Sequence, residues 1–233
     1  MKAMVFAAGL GSRLGTLTAD WPKALVEVEG RPLIAHVFER LRASGVTAVI
    51  VNVHHFADQV EAWLKANDCG IEVAVSREDE LLETGGGLKK AAGFFDGETH
   101  FLVHNVDVLS DIDLADLVRD HQASGALASL AVMERKASRY LMIDAGDTIC
   151  GRRRGEDGEV DLRREPFGEL EPVGFCGIQV LSAEFLNQMP PVSRYSITDT
   201  YLDLTGAGRD IRAIRVDGSK WRDCGRPEDL KGL

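Results

Sequence analysis

Short apolar runs alternate with longer segments of helical period through the first half of the chain. They fall at residues 3–7, 33–41, 48–53, 60–64, 71–75 and 101–103, a rhythm that predicts a mostly parallel sheet covered by helices. The run Ala48-Val49-Ile50-Val51 has no polar alternation, which is what a strand buried on both faces requires. From residue 126 onward the pattern becomes β-rich, at 126–132, 140–143, 174–181 and 211–216, with turns rich in Gly, Asp and Arg between the runs. The prediction is an α/β fold in a single domain spanning 1–233, with one lobe over 1–125, a second over 126–233, and a cleft between them.

The chain has 233 residues, of which 45% are hydrophobic, enough for a full core without disulfide or metal staples. Its 27 Lys plus Arg stand against 37 Asp plus Glu, a formal net charge of −10. Such a balance argues against wrapping nucleic acid or anionic membrane, although a few basic groups and a divalent cation can reverse the field inside one cleft. Cys69, Cys150, Cys176 and Cys224 form no C-x-x-C pair, so they read as reduced thiols. There is no signal-peptide pattern and no apolar run of membrane-spanning length, and the expected location is cytoplasmic. The oligomeric state is not readable.

The most informative stretch is Ala7-Ala8-Gly9-Leu10-Gly11-Ser12-Arg13-Leu14-Gly15, directly after the first predicted strand. A loop there lies at the carboxyl end of a central strand, where open α/β sheets bind ligands. Gly9 and Gly11 let backbone N–H groups approach phosphate oxygens, and Arg13 adds a charge-assisted fork. The spacing fits neither G-x-G-x-x-G, since Leu14 stands one step before Gly15, nor a P-loop, since no G-K-[ST] follows. Trp21-Pro22-Lys23 comes next: Pro22 fixes the backbone, and Lys23 offers a mobile charge for phosphates.

The G-x-G-S-R loop followed by P-K resembles the opening signature of the sugar-nucleotide pyrophosphorylases, or sugar-1-phosphate nucleotidyltransferases. The run Leu82-Glu83-Thr84-Gly85-Gly86-Gly87 is similar to that of the N-acetylmuramate 1-phosphate uridylyltransferase branch. The resemblance implies a Rossmann-like fold of the nucleotide-diphospho-sugar transferase type, with nucleotide bound by the first lobe and acceptor by the second. It implies nucleotide contacts from Ala8, Gly9, Gly11, Ser12, Arg13, Lys23, Thr84, Gly85, Gly86 and Asn105. Asp107, in His104-Asn105-Val106-Asp107, and Asp223, in Trp221-Arg222-Asp223-Cys224-Gly225, match the family's two acidic positions, with Val106 where glycine is common. Two such carboxylates suit Mg²⁺, a hard cation that takes oxygen ligands; with Arg13 and Lys23 they form the expected catalytic set. Val173-Gly174-Phe175-Cys176-Gly177-Ile178, Ile197-Thr198-Asp199 and Arg164-Glu165-Pro166 echo sugar-side elements, which nominates Gly177, Asp199 and Glu165.

Several features are expected to stay outside the site. Arg152-Arg153-Arg154 reads as a solvated hairpin turn, His54-His55 as polar packing, and Asp111 and Asp113 as turn and helix-cap residues. The expected substrates are a nucleoside triphosphate and a sugar 1-phosphate, without nucleic acid or membrane. The competing readings are a choline-phosphate or other non-sugar nucleotidyltransferase, a glycosyltransferase with Asn105-Val106-Asp107 as its metal site, and a nucleotide-sensing module. UTP is the expected nucleotide, read by alternating backbone groups from Thr84 to Gly86; GTP is the alternative, with Glu83 accepting from guanine's amino group.

Overall fold

In the computed structural model, which describes residues 1–230, the predicted alternation takes definite form. The first half comprises β1 (Lys2–Phe6), the short β2 (Glu27–Val28) and β3 (Arg31–Pro32), α1 (Leu33–Ala43), β4 (Ala48–Val53), α2 (Ala57–Ala66), β5 (Glu72–Arg77), α3 (Glu83–Lys90) and β6 (His100–Asn105). β1 pairs in parallel with β4 and β6, and β4 with β5; parallel neighbours need crossovers, which the helices supply. Successive residues of β1 feed opposite cores, Ala3 and Val5 one and Met4 and Phe6 the other, and β4 is buried throughout. Lack of alternation in these strands thus reflects a sheet covered on both faces. α1 turns Ile34, Val37, Phe38 and Leu41 inward, the i, i+3, i+4, i+7 spacing of one helical face.

The second half runs through β7 (Val108–Ser110), α4 (Leu114–Ser124), β8 (Ala128–Met133), β9 (Arg139–Ile143), β10 (Ile149–Arg154), β11 (Val160–Leu162) and β12 (Glu171–Ser182). It continues with α5 (Ala183–Gln188), α6 (Ile197–Gly206), β13 (Ile211–Arg215) and β14 (Trp221–Asp223). The strand order is β11-β10-β9-β12-β6-β1-β4-β5, with β8 also on β12 and β13 on β8. β12 is the seam between the halves: its first residues pair antiparallel with β9, its last with β6. The register shifts between Phe175 and Gln179, where Gly177 has φ +73, a left-handed conformation that glycine adopts freely.

Asp113 caps α4 through the amides of Ala115 and Asp116, and Asp111 accepts from the Lys220 amide, the turn and cap roles expected of them. Residues 152–154 depart from expectation, forming the end of strand β10 in place of a turn. Among the described residues, no helix is long and apolar enough to cross a membrane.

Candidate active site

The site is built where β1 and β6 end side by side. Beyond Phe6 the chain enters the glycine loop, and Gly11 takes φ +65. A Cβ there would lie 3.1 Å from Thr18 Cγ2 and 3.3 Å from Lys23 Cβ, so both its conformation and its surroundings favour glycine. The Thr18 hydroxyl donates to the Gly11 carbonyl at 2.9 Å, folding the loop back against the segment that carries Lys23.

Lys23 opens a single 3₁₀ turn behind extended Pro22, and its ammonium donates to Asp107 Oδ2. The two side chains are only 10% and 18% exposed, so neither charge is well solvated and each depends on the other. Asp107 precedes β7, to which β14 pairs antiparallel with Asp223 opposite Val108, and the Cys224 amide donates to the Asp107 carbonyl at 2.7 Å. That ribbon brings together two carboxylates from distant parts of the chain. Arg13 Nη2 stands 3.7 Å from Asp223 Oδ2. A Cβ on Gly225 would fall 2.5 Å from Asp223 Oδ1 and 2.6 Å from Arg13 Nη2, so only glycine lets the arginine approach.

Asp223 Oδ1 is buried without a hydrogen-bond partner. An orphaned carboxylate oxygen beside a second carboxylate is a donor set suited to a hard divalent cation. Among the described residues no cluster of three or more His, Cys, Asp or Glu could hold a metal, so further ligands would have to come from substrate phosphates. Burial pushes the Cys224 thiol up to about 11, which keeps it protonated and unsuited to act as a nucleophile here.

Of the sequence-predicted nucleotide residues, Ala8, Gly9, Gly11, Ser12, Arg13, Lys23, Thr84 and Asn105 line a single cavity of about 480 Å³, together with Asp107 and Gly225. A second cavity of about 620 Å³ shares Glu83, Asn105, Arg139 and Ser196 with it and holds Asp199 and Asp223. Gly177 lies behind Asn105, since a Cβ on it would come within 2.8 Å of Asn105 Nδ2. Glu165 is exposed and lines neither cavity.

Gly85 and Gly86 also depart from expectation. Both amides point to the Tyr195 carbonyl, at 2.9 and 3.4 Å, and neither residue lines either of these two cavities. A Cβ on Gly85 would sit 2.3 Å from the Tyr195 ring, one on Gly86 1.9 Å from the Ser193 carbonyl, and one on Gly87 2.6 Å from Glu78 Oε1. The triple glycine therefore makes room for protein, and the amides of Gly85 and Gly86 are committed to Tyr195. Thr84 accepts from the Ile197 amide at 3.0 Å, and His54 packs by hydrogen bonding to the Glu78 carbonyl.

Sequence reasoning missed Asn52 and Glu78. Asn52 Oδ1 accepts from the Ala7 amide at 2.8 Å and its Nδ2 donates to Glu78 Oε1 at 2.8 Å, while Glu78 Oε2 accepts from the Leu82 amide at 3.0 Å. This buried relay ties the glycine loop to the start of α3. The available signal was one polar residue near the end of the otherwise apolar run Ala-Val-Ile-Val-Asn-Val. Arg152, Arg153 and Arg154 were set aside with the expected turn, yet all three line the second cavity.

The family model described as nucleotidyl transferase matches residues 2–160. The chain belongs to the nucleotidyl transferase family. Similar relatives of this nucleotidyl transferase include the N-acetylmuramate alpha-1-phosphate uridylyltransferase of Caulobacter vibrioides, 34% identical over 97% of this chain and 92% of that protein. The mannose-1-phosphate guanyltransferase beta-B of Xenopus laevis is 35% identical over 99% of this chain but 62% of its own length. HddC from Yersinia pseudotuberculosis shares the fold, with a TM-score of 0.79 at 23% identity over 98% of this chain and 95% of that one.

Proposed function

We propose that this nucleotidyl transferase moves a uridylyl group from UTP to a sugar 1-phosphate, yielding a UDP-sugar and pyrophosphate, with Mg²⁺ held by Asp107 and Asp223. The observation that carries this reading is the convergence of the glycine loop and the Lys23–Asp107 pair on one cavity, with Asp223, on the strand paired to β7, lining the adjoining cavity. A phosphate monoester with a second pKa of about 6 is largely ionised at neutral pH, so its oxygen attacks without a dedicated base. A new P–O bond forms at the α-phosphorus, the α–β bridging bond breaks, and its electron pair leaves with pyrophosphate. The Ala8–Gly11 backbone admits the triphosphate closely, while Lys23 and Arg13 offset its charge. When bound, the divalent cation supplies positive charge where negative charge develops on the transferring phosphate. Lys23 and Arg13 already face Asp107 and Asp223, so these charges are in position before substrate arrives.

The preference for UTP rests on the uridylyltransferase activity named for the near full-length Caulobacter relative. Glu83 supports the second reading. Its side chain lines both cavities, its φ of +59 is unusual outside glycine, and Arg194 holds its carboxylate at 3.0 Å; turned inward, it would accept from guanine's amino group. Competition among UTP, CTP, GTP, ATP and dTTP at saturating sugar 1-phosphate, read as kcat/KM by pyrophosphate release, decides the matter. UTP should lead; a clear lead for GTP replaces the uridylyl reading and makes Glu83 the residue to mutate.

A further inference from the structure

Asp223 sits on an element that cannot hold itself in place. β14 has three residues and, among the described residues, pairs with β7 in a two-stranded sheet apart from the main one; such a ribbon is marginal without packing on one face. Nor do the contacts of its carboxylate fix it. Asp223 Oδ1 lacks a hydrogen-bond partner, and Arg13 stands 3.7 Å from Oδ2 with both side chains more than a third exposed. The anchor lies two residues earlier, at Trp221, which shares a face of β14 with Asp223. The Trp221 Nε1 donates to the Cys176 carbonyl at 2.8 Å, and the Arg135 guanidinium lies over the indole, 4.1 Å from the ring centroid. Arg135 in turn donates from Nη2 to the Phe175 carbonyl at 2.7 Å.

β12 is shaped around these contacts. A Cβ on Gly174 would lie 2.7 Å from Arg135 Nε, and one on Gly177 would lie 2.9 Å from Val108 Cγ2, on the residue opposite Asp223. At the register shift between Phe175 and Gln179, the Phe175 and Cys176 carbonyls accept from the two side chains, a use for backbone groups that a bulge leaves unpaired. Arg135 Nε is buried without a partner, a cost that the ring contact helps to offset, since a cation over an indole gains most when desolvated. Arg135 follows β8, so the bracket ties the strand bearing Asp223 to β8 and β12, and Arg135, Phe175 and Asp223 line the second cavity together. We propose that Arg135 is a positioning residue for nucleotidyl transfer: acting through Trp221, it fixes β14 so that Asp223 meets a divalent cation carried on the nucleotide phosphates. The inference rests on the reading of Asp223 as a metal ligand given above.

The test reads how far a divalent cation tightens nucleotide binding, by calorimetry of the full chain with Mn²⁺ and UTP, and GTP in parallel, without acceptor. By linkage, the ratio of nucleotide dissociation constants without and with Mn²⁺ measures the coupling between the two ligands. Asp223→Asn sets the reference by losing most of that ratio. Arg135→Gln should lower the ratio about tenfold to a hundredfold, the range for residues that orient a metal ligand, while metal-free nucleotide binds within about twofold of the intact enzyme. Its kcat should fall at low Mn²⁺ and recover in part as Mn²⁺ is raised. Arg135→Lys keeps a cation above the indole but loses the fork, and Trp221→Phe keeps a ring but loses the donor to Cys176, so each should fall between. Melting temperatures near that of the intact enzyme establish the folds; if Arg135→Gln melts early, Arg135→Lys carries the same test. A ratio in the arginine variants equal to the intact enzyme's overturns the positioning role. So does an equal loss of nucleotide affinity with and without Mn²⁺, which would make Arg135 a nucleotide contact or a general support of the fold. An undiminished ratio in Asp223→Asn defeats the metal reading of Asp223 and the positioning role with it, a failure told apart from that of Arg135 alone.

Discussion

Replacing Asn52 tests whether the buried relay between the glycine loop and α3 supports nucleotide binding. Asn52→Ala deletes the acceptor for the Ala7 amide and the donor to Glu78 Oε1, both at 2.8 Å. Each buried group left unpaired costs about 1–3 kcal/mol, and because the first cavity adjoins Asn52 and can admit water, the expected loss is about 2–4 kcal/mol. A domain stable by about 5–15 kcal/mol still folds after such a loss. Asn52→Asp is the sharper probe. It keeps an oxygen for Ala7 but places a second carboxylate against Glu78, and at 2.8 Å two unit charges repel by about 6 kcal/mol at an effective dielectric constant of about 20. The Asp variant should therefore be less stable than the Ala variant at pH 7, then recover as acidification lets the two carboxylates share one proton. Urea denaturation followed by tryptophan fluorescence at pH 7 and pH 5 reads the stability, and KM for UTP should rise about tenfold in the Ala variant as the loop loosens. Equal stability of the two variants at pH 7, with no recovery at pH 5, would refute the relay.

Asp107→Asn and Asp223→Asn should each lower kcat at least about a hundredfold with melting temperature nearly unchanged; near-normal turnover in either removes that carboxylate from the metal site. Gly85→Ala and Gly86→Ala drive a methyl group into the Tyr195 ring and the Ser193 carbonyl, so each should cost more than about 2 kcal/mol in thermal unfolding. Gly9→Ala, with nothing within 4 Å of its Cβ, should instead leave stability intact and raise KM for the nucleotide. Burial lowers His104 and His121 to about 4, so both are neutral in the fold and bind protons more readily when unfolded. Their contribution is complete above about pH 6.5 and is lost toward pH 4, at up to about 1.4 kcal/mol per pH unit for each ring. In urea titrations from pH 7 to 4.5, His121→Gln should flatten that slope; an unaltered slope counts against a buried neutral His121.

The sequence made the central strands legible because a sheet covered on both faces demands unbroken apolar runs. The glycine-loop end of the site was legible because small and charged residues stand close together there, at Gly9, Gly11, Arg13 and Lys23, and these line one cavity. Glycines 85–87 were harder: absence of a side chain looks the same whether the space serves a ligand or, as here, Tyr195, Ser193 and the Asn52–Glu78 pair. The run Arg152-Arg153-Arg154 was hidden because consecutive charges suggest solvent, whereas here they end a strand that walls the second cavity. Glu165 was nominated from a loose local echo, and such an echo cannot reveal that residues 163–168 run outside both cavities. Asn52 could have been noticed, but its partner Glu78 is brought to it only by the pairing of β4 with β5.

The β7–β14 ribbon also sets an order of assembly. Asp107 emerges with the parallel half of the sheet, whereas Asp223 belongs to the last strand of the fold, and their pairing is among its most non-local contacts. Such contacts form late, because the entropy of closing a long loop must be met before they stabilise anything. During synthesis, β1, β4, β5 and β6 can gather around the glycine loop while the second carboxylate is still absent. On the proposed reading, a growing chain gains its phosphate-facing loop before it gains the second carboxylate, and turnover would begin only when β14 docks.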